Sequence, residues 1–229
     1  MGQLIERLAP EYATSIITTI NRADPFSENS IASADVVIDF SGPEHILQRI
    51  QCCGKTRVPM VIGTTGWDQE KAAAKEIVAQ LQSAVIVSAN FSMGIALFLQ
   101  MVRQAAQQMN RWPHYDVAIQ EQHHRQKKDH PSGTAKMIAD VLIQELDRKE
   151  KTTSQLDADA VDPTSLHIAS LRCGQVPGTH EVIFDGPDDT ITLTHTARSR
   201  HDFARGALQA ASWIIDKKGF FTAEDMLCK

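Results

Sequence analysis

Short apolar runs alternate with helical patterns through the first third of the chain. Runs rich in β-branched residues occupy 15–20, 35–40, 58–62 and 84–87, and the last is continuously apolar, as in strands buried on both faces. A helical pattern over 68–82 separates the last two runs. Strands that alternate with helices in this way predict a parallel sheet with helices packed on its two faces.

The pattern changes after residue 92, where closely spaced β-rich runs follow a long helix. Short turns between such runs favour antiparallel pairing, and the polar stretch at 151–165 is typical of a surface loop. The elements predicted here are a helix at 93–109, a strand at 115–120, a helix at 133–149, strands at 167–173, 180–185 and 190–196, and an amphipathic helix at 203–217 that returns to the first layer.

These patterns predict an α/β protein in two parts. A doubly wound parallel sheet of the Rossmann type is expected at 1–92 and 201–229, as a dinucleotide-binding domain. An inserted α+β domain is expected at 93–200.

Composition and charge narrow the class of protein. Apolar residues make up 42% and charged residues 22%, which is ordinary for a globular protein and excludes disordered and collagen-like classes. The net charge of −5 argues against nucleic-acid and membrane-surface partners. Four cysteines without zinc or disulfide spacing, and a start at residues 1–7 that resembles a helix more than a leader, predict a reduced cytoplasmic protein.

Two loops follow predicted parallel strands and are candidates for ligand binding. Gly63-Thr64-Thr65-Gly66 combines glycines, which allow close approach to the backbone, with two hydroxyls. Ser88-Ala89-Asn90-Phe91 adds polar and aromatic groups that can hold a nicotinamide ring. Ligands of open parallel sheets bind at the carboxyl ends of the strands, where both loops lie. Simple turns and helix caps are the alternative.

The segment 121–134 carries the strongest candidate chemistry. It holds three histidines, one arginine and two lysines, followed by Pro-Ser-Gly-Thr at the start of a helix. Helix-terminal amides beside cations form a site for carboxylates, and histidine or lysine can supply a proton. A solvated basic face is the alternative. A metal site at His123, His124 and His130 is disfavoured because adjacent histidines point apart on a strand and Lys127 and Lys128 repel a cation.

A hydrolase is also disfavoured. Ser132 and Ser88 are the candidate nucleophiles, but neither lies in a nucleophile-elbow pattern.

The same residues resemble a known family. Residues 121–134 match E-x-H-H-R-x-K-x-D-x-P-S-G-T, the signature of the 4-hydroxy-tetrahydrodipicolinate (dihydrodipicolinate) reductases. Further segments resemble this family in the same order along the chain; they are 36–44, 62–66, 89–94, 178–180, 195–200 and 203–207.

The resemblance implies reduction of a cyclic imine dicarboxylate by NADPH or NADH in the diaminopimelate route to lysine. It also implies that the inserted domain at 93–200 serves substrate binding and oligomerisation, with a homotetramer formed through its sheet. By the match, His123 is the acid/base group and Lys127 the proton donor. The residues implied for the substrate carboxylates are His124, Ser132, Gly133 and Thr134, and those for the cofactor are Gly63, Thr64, Thr65, Ser88, Ala89, Asn90, Phe91 and Arg200.

The sequence departs from the family pattern at two places. The family opens with a strand and a glycine-rich turn, whereas Met1-Gly2-Gln3 resembles the end of that turn, so we expect the first strand and most of the phosphate loop to be missing. A non-catalytic dicarboxylate-binding relative that has lost nucleotide binding is therefore the alternative function. Arg22 follows the run at 15–20, where an acidic residue would select a free 2′-hydroxyl, and favours NADPH; a solvated arginine is the alternative.

Overall fold

The computed structural model describes residues 1–21, 24–156, 161–199 and 201–226. The chain divides into two compact units, one formed by Met1–Met93 with His201–Lys229 and the other by Gly94–Arg200. Among the described helices, none is both long enough and apolar enough to cross a membrane.

The described residues form seven α-helices and nine strands, with 3-10 turns at Ala9–Tyr12, Asp68–Glu70 and Ala223–Met226. The helices are α1 (Gly2–Leu8), α2 (Glu28–Ile31), α3 (Ile46–Thr56), α4 (Lys71–Gln80), α5 (Met93–Met109), α6 (Gly133–Glu145) and α7 (His201–Ile214). The strands are β1 (Val37–Asp39), β2 (Met60–Ile62), β3 (Ala84–Val87), β4 (Asp116–His123), β5 (Lys151–Thr153), β6 (Ser165–Arg172), β7 (Thr179–Asp185), β8 (Thr190–Thr196) and β9 (Gly219–Thr222).

The first unit is a parallel sheet in the order β1-β2-β3-β9, with helices on both faces. Val61 and Ile86 face one core with α1 and α7, whereas Met60 and Val85 face the other with α3 and α4. This alternation follows from the pleat of strands that are buried on both sides. The predicted doubly wound, Rossmann-like class is confirmed, and within the described residues its first element is α1.

One strand predicted in this unit is wrong. Residues 15–20 belong to no strand, and Ile16 and Ile17 are 38% and 56% exposed. Their β-branched composition favours an extended chain, but a strand also requires a pairing partner. In contrast, β9 pairs with β3 although the sequence pattern did not predict it.

The second unit is a mixed five-stranded sheet in the order β5-β6-β4-β7-β8. The strands β4, β7 and β8 pair antiparallel, as predicted, but β6 runs parallel to β4, with Ile168 opposite Ile119. The expectation of antiparallel pairing for 167–173 is therefore wrong, because the connection from β4 to β6 is not a short turn but contains helix α6 and strand β5. Apolar residues of α5 and α6 share one core with this sheet.

Two predicted boundaries in the second unit are also wrong. The helix predicted over 133–149 ends at Glu145, because Leu146 has an extended conformation. Within the predicted surface loop at 151–165, Lys151–Thr153 forms β5 and pairs with β6. Residues 157–160 of that loop lie outside the described residues.

Candidate active site

Glu121 and His123 form a buried dyad at the end of β4. They are two residues apart on one strand, so their side chains lie on the same face of the sheet. Glu121 is fully buried and His123 is 8% exposed. Nδ1 of His123 is hydrogen-bonded to Oε2 of Glu121.

The other carboxylate oxygen of Glu121 accepts two hydrogen bonds. A guanidinium N–H of Arg172 donates over 2.7 Å and the backbone N–H of Ser132 over 3.3 Å, both to Oε1. Burial raises the pKa of Glu121, but hydrogen bonds from His123, Arg172 and Ser170 more than offset this effect and lower the pKa to about 2. Glu121 is therefore ionised at neutral pH and acts only as an acceptor.

His180 lies directly opposite Glu121 on β7 and packs against His123. The two imidazole centroids are 5.2 Å apart, and Nε2 of His180 is 3.2 Å from Oγ of Ser132. Burial and the nearby His123 lower the pKa of His180 to about 4, against a raising effect of Glu121. His180 is thus neutral at neutral pH.

Lys127 lies in the loop after β4 and is held by an acid. Its Nζ is 2.9 Å from both carboxylate oxygens of Asp129, and its backbone N–H donates to the carbonyl of His124 over 3.1 Å. The charge of Lys127 also contributes to the lowered pKa of His180, which places it in the same cluster. Arg172, which binds Glu121, also donates to the backbone carbonyl of Asp129 over 2.7 Å.

The predicted anion site lies at the first turn of α6. Ser132 is the N-cap, and its buried hydroxyl accepts the N–H of Ala135 over 3.2 Å besides contacting His180. These contacts give Ser132 a role in holding the start of α6. Gly133 is exposed, with nothing within 4 Å of the position a Cβ would take, so its backbone is open to a ligand. Thr134 and His124 are half-buried nearby in sequence.

Glu121, His123 and His180 also have the geometry of a possible cation site. One ligand atom from each lies within 4.8 Å of the others. However, the Arg172 guanidinium already occupies Oε1 of Glu121, and the ammonium of Lys127 acts on the same cluster. The positive charges of Arg172 and Lys127 repel a cation from this cluster, so we assign no metal here.

In the first unit, the carboxyl ends of adjacent strands are joined by hydrogen bonds around Asp39. This buried carboxylate accepts Nε–H of Arg49 over 2.7 Å and the hydroxyl of Thr64 over 3.1 Å. The backbone N–H of Gly63 donates to the carbonyl of Asp39 over 2.8 Å. The loop at 63–66 is therefore fixed to the end of β1.

The loop after β3 is held by its own polar groups. The Ser88 hydroxyl donates to the carbonyl of Asn90 over 2.7 Å, and Oδ1 of Asn90 accepts the backbone N–H of Ser92 over 2.8 Å. The buried ring of Phe91 packs edge-on against Phe40, with centroids 6.1 Å apart. These bonds stabilise the loop conformation at the edge where the strands end.

The exposed groups on these two loops fit a nicotinamide cofactor. Thr65, Gly66 and Ala89 are exposed, and nothing lies within 4 Å of a Cβ position at Gly66. The hydroxyls of Thr64 and Ser88 are bonded internally, so they position the loops, and the exposed backbone is left to contact a ring or ribose. Arg22 and Arg200, which were also predicted to bind the cofactor, lie outside the described residues.

The sequence patterns gave no functional role to three residues of the site. Glu121 belongs to the signature but received no role, although the two-residue strand period relates it to His123. Arg172 and His180 come from neighbouring strands, and only the pairing of β4 with β6 and β7 brings them to the dyad.

The Rossmann-like sheet and the acid–base cluster define a nicotinamide-dependent oxidoreductase. The family model "Dihydrodipicolinate reductase, N-terminus" matches residues 6–91, and "Dihydrodipicolinate reductase, C-terminus" matches residues 94–227. The chain belongs to the dihydrodipicolinate reductase family, and the predicted family is confirmed.

Curated relatives share much of this sequence. A protein of Christiangramia forsetii named 4-hydroxy-tetrahydrodipicolinate reductase is 37% identical over 227 residues, which cover 99% of this chain and 93% of that one. A protein of the same name from Caldanaerobacter subterraneus is 40% identical over 199 residues, which cover 86% of this chain and 78% of that protein. Nothing in these relatives supports the non-catalytic alternative.

A solved structure shares the fold. It is a dipicolinate-bound dihydrodipicolinate reductase from Paenisporosarcina sp. TG-14, with a TM-score of 0.69 and 23% identity. The match covers 90% of this chain and 80% of that chain.

Proposed function

We propose that this chain is a 4-hydroxy-tetrahydrodipicolinate reductase. It reduces a cyclic imine dicarboxylate with NADPH or NADH in the diaminopimelate route to lysine. The observation that carries the proposal is the ionised Glu121 bonded to His123, beside the loop of Lys127 and the first turn of α6. The names of the relatives support the substrate assignment.

The second unit supplies the groups that bind a dicarboxylate. The N-terminal amides of α6 at Gly133 and Thr134 lie at the positive end of the helix dipole and are suited to one carboxylate. The cationic side chain of Lys127 and the imidazole of His124 add charge and hydrogen-bond donors for the second. Ser132 supports this site by capping the helix.

Proton supply is the role of His123 and Lys127. Loss of the 4-hydroxyl of the substrate as water leaves a conjugated ring imine. A bound nicotinamide would supply the hydride to carbon 4 of that ring, and the resulting enamine nitrogen system then takes up one proton, which leaves the imine of tetrahydrodipicolinate in place. Lys127 delivers this proton after its ammonium leaves Asp129, whose exposed carboxylate is readily solvated. His123 stabilises the developing charge and exchanges protons through the nitrogen that does not face Glu121.

The cofactor is assigned to the first unit. Thr65, Gly66 and Ala89 offer exposed groups. The two loops are held by the hydrogen-bonded side chains of Thr64, Ser88 and Asn90, by the packed ring of Phe91 and by the backbone of Gly63. Arg22 can accept a 2′-phosphate and therefore favours NADPH over NADH, and Arg200 remains a predicted cofactor contact.

The assembly and compartment complete the proposal. We assign a homotetramer formed through the sheet of the second unit, because Leu171 is 49% exposed on the sheet face opposite the core that α5 and α6 share. We assign the cytoplasm, because four cysteines without disulfide spacing are typical of proteins in a reducing compartment.

The direct test follows the near-ultraviolet absorbance of NADPH, and separately NADH, with freshly prepared 4-hydroxy-tetrahydrodipicolinate. We expect saturable oxidation of the nucleotide, with tetrahydrodipicolinate as the product detected by mass spectrometry. Fluorescence titration of each nucleotide without substrate gives the affinity separately. Dicarboxylate binding without saturable nucleotide binding would instead establish the non-catalytic alternative.

A further inference from the structure

The carboxylate of Glu121 is bound differently at its two oxygens. Oε1 accepts from the Arg172 guanidinium and the Ser132 backbone N–H, two groups that can only donate. Oε2 faces Nδ1 of His123. The ionised carboxylate has no proton to give, so the bond to His123 requires a proton on Nδ1.

We propose that Glu121, fixed by Arg172, is a positioning residue that holds a proton on Nδ1 of His123 and so leaves Nε2 as the nitrogen that exchanges protons. This inference rests on the proposed function, in which His123 takes part in proton transfer. Nε2 lies beside Gly178, where a Cβ would be 3.0 Å from this atom. A side chain at residue 178 would therefore crowd the exchanging nitrogen.

Arg172 also contacts the loop that carries Lys127. The guanidinium nitrogen that binds Oε1 of Glu121 also donates to the backbone carbonyl of Asp129, each over 2.7 Å. Asp129 in turn holds Nζ of Lys127. One guanidinium nitrogen therefore links the histidine dyad to the segment that carries the proton donor.

The Glu121→Gln substitution separates positioning from packing. The Gln oxygen must face Arg172 and Ser132, which are donors, so its NH₂ group must face Nδ1 of His123. An NH₂ donor requires a lone pair on Nδ1 and therefore selects the opposite, Nε2–H tautomer. The side-chain volume hardly changes, so a purely structural role predicts no tautomer switch.

The experiment records ¹⁵N spectra of the full chain with ring-labelled histidine, in alkaline solution where imidazoles are neutral. The His123→Asn spectrum identifies the His123 signals. We expect a protonated Nδ1 in the wild type and a protonated Nε2 in Glu121→Gln. We also expect kcat to fall about 10²-fold or more, the scale of lost acid–base catalysis, with the substrate KM and NADPH Kd within about twofold.

The control is Glu145→Gln, which alters another glutamate bonded to an arginine, Arg103, in the same unit. Glu145 lies at the C-terminal end of α6, whereas Ser132 caps the N-terminal end. We expect it to leave the His123 tautomer and kcat unchanged.

A protonated Nε2 in the wild type would overturn the proposal even if Glu121→Gln does not fold. An unchanged tautomer in folded Glu121→Gln would also overturn it. A wild type with the expected tautomer but no reductase activity would refute the proposed function alone, and an active wild type with the opposite tautomer would refute the positioning role alone.

Discussion

The backbone of Phe91 lies against Gly206 of α7, so closely that a Cβ at residue 206 would be 1.7 Å from the Phe91 carbonyl oxygen. Helix α7 thus supports the loop at 88–91, which we assign to the cofactor. Only glycine permits this approach, since the clashing atom belongs to the backbone of the loop.

The Gly206→Ala substitution should therefore displace this loop. We expect a loss of about 1–3 kcal/mol in the free energy of unfolding, the usual cost of overpacking, together with a weaker NADPH affinity. Urea unfolding and fluorescence titration measure the two effects. Gly2→Ala is the control in the same unit, because nothing lies within 4 Å of its Cβ position. Equal stability and affinity in both variants would contradict the assigned support.

The sequence predicted the fold wherever burial and local pattern agree. The apolar run at 84–87 became β3, buried along its whole length, and the helix at 93–109 has the predicted bounds. The pattern failed where pairing decides the structure. Residues 15–20 have strand composition without a strand partner, and the direction of β6 depends on the long connection from β4 through α6 and β5.

Arg49 neutralises the buried carboxylate of Asp39 at the end of β1. The two side chains form an ion pair at 2.7 Å, with Arg49 15% and Asp39 5% exposed. Arg49→Leu leaves this charge unpaired, so we expect a loss of about 3 kcal/mol in the free energy of unfolding and weaker NADPH binding.

The matched control is Lys55→Gln, which removes an exposed ion pair with Glu28 at 3.6 Å. We expect this variant to change the free energy of unfolding by less than about 1 kcal/mol in urea unfolding. A similar loss of unfolding free energy in Arg49→Leu and Lys55→Gln would show that the burial of Asp39 does not determine how much the broken ion pair destabilises the fold.

Thr134 tests the substrate site at the start of α6. Removing its hydroxyl in Thr134→Ala should raise the substrate KM about tenfold, the scale of one hydrogen bond to a charged group, while kcat and the NADPH Kd stay nearly constant. Steady-state kinetics with the substrate varied at saturating NADPH measures this. Thr192→Ala on the exposed part of β8 is the control, and a KM equal in both variants would place the carboxylate elsewhere.

His180 should make the second unit sensitive to mild acid. Burial and the neighbouring His123 lower its pKa in the folded state to about 4, below the ordinary value of about 6.5. Between these values the unfolded chain binds a proton that the folded chain does not. Stability is therefore greatest above pH 6.5 and falls, by about 3 kcal/mol for this group, as the pH drops through 4.

The measurement is the urea midpoint as a function of pH. In His180→Asn we expect a smaller loss between pH 6.5 and 4 than in the wild type, whereas His130→Asn, on the exposed loop, should keep the wild-type slope. Stability should fall further below pH 4.5, as Glu121 becomes protonated toward its pKa of about 2, and this fall should remain in both His180→Asn and His130→Asn. An unchanged slope in His180→Asn would exclude His180 as the source.

The sequence predicted the site residues that lie in one continuous segment, and it missed those that neighbouring strands contribute. His123, Lys127 and the turn before α6 lie within one segment, so their types and spacing were visible. The contribution of Arg172 and His180 depends on the register of three strands, with His123 opposite Arg172 and Glu121 opposite His180. A single sequence carries no direct signal for such pairings.

The central claim is that His123 and Lys127 transfer and stabilise charge in the reduction of the dicarboxylate. The most direct measurement is kcat for the oxidation of NADPH with fresh substrate in His123→Ala and in Lys127→Ala, beside the neighbouring control Lys128→Ala. The account predicts a fall of about 10²-fold or more in the first two, with nucleotide affinity nearly unchanged, and no comparable fall in the control. Wild-type turnover in both His123→Ala and Lys127→Ala would contradict it.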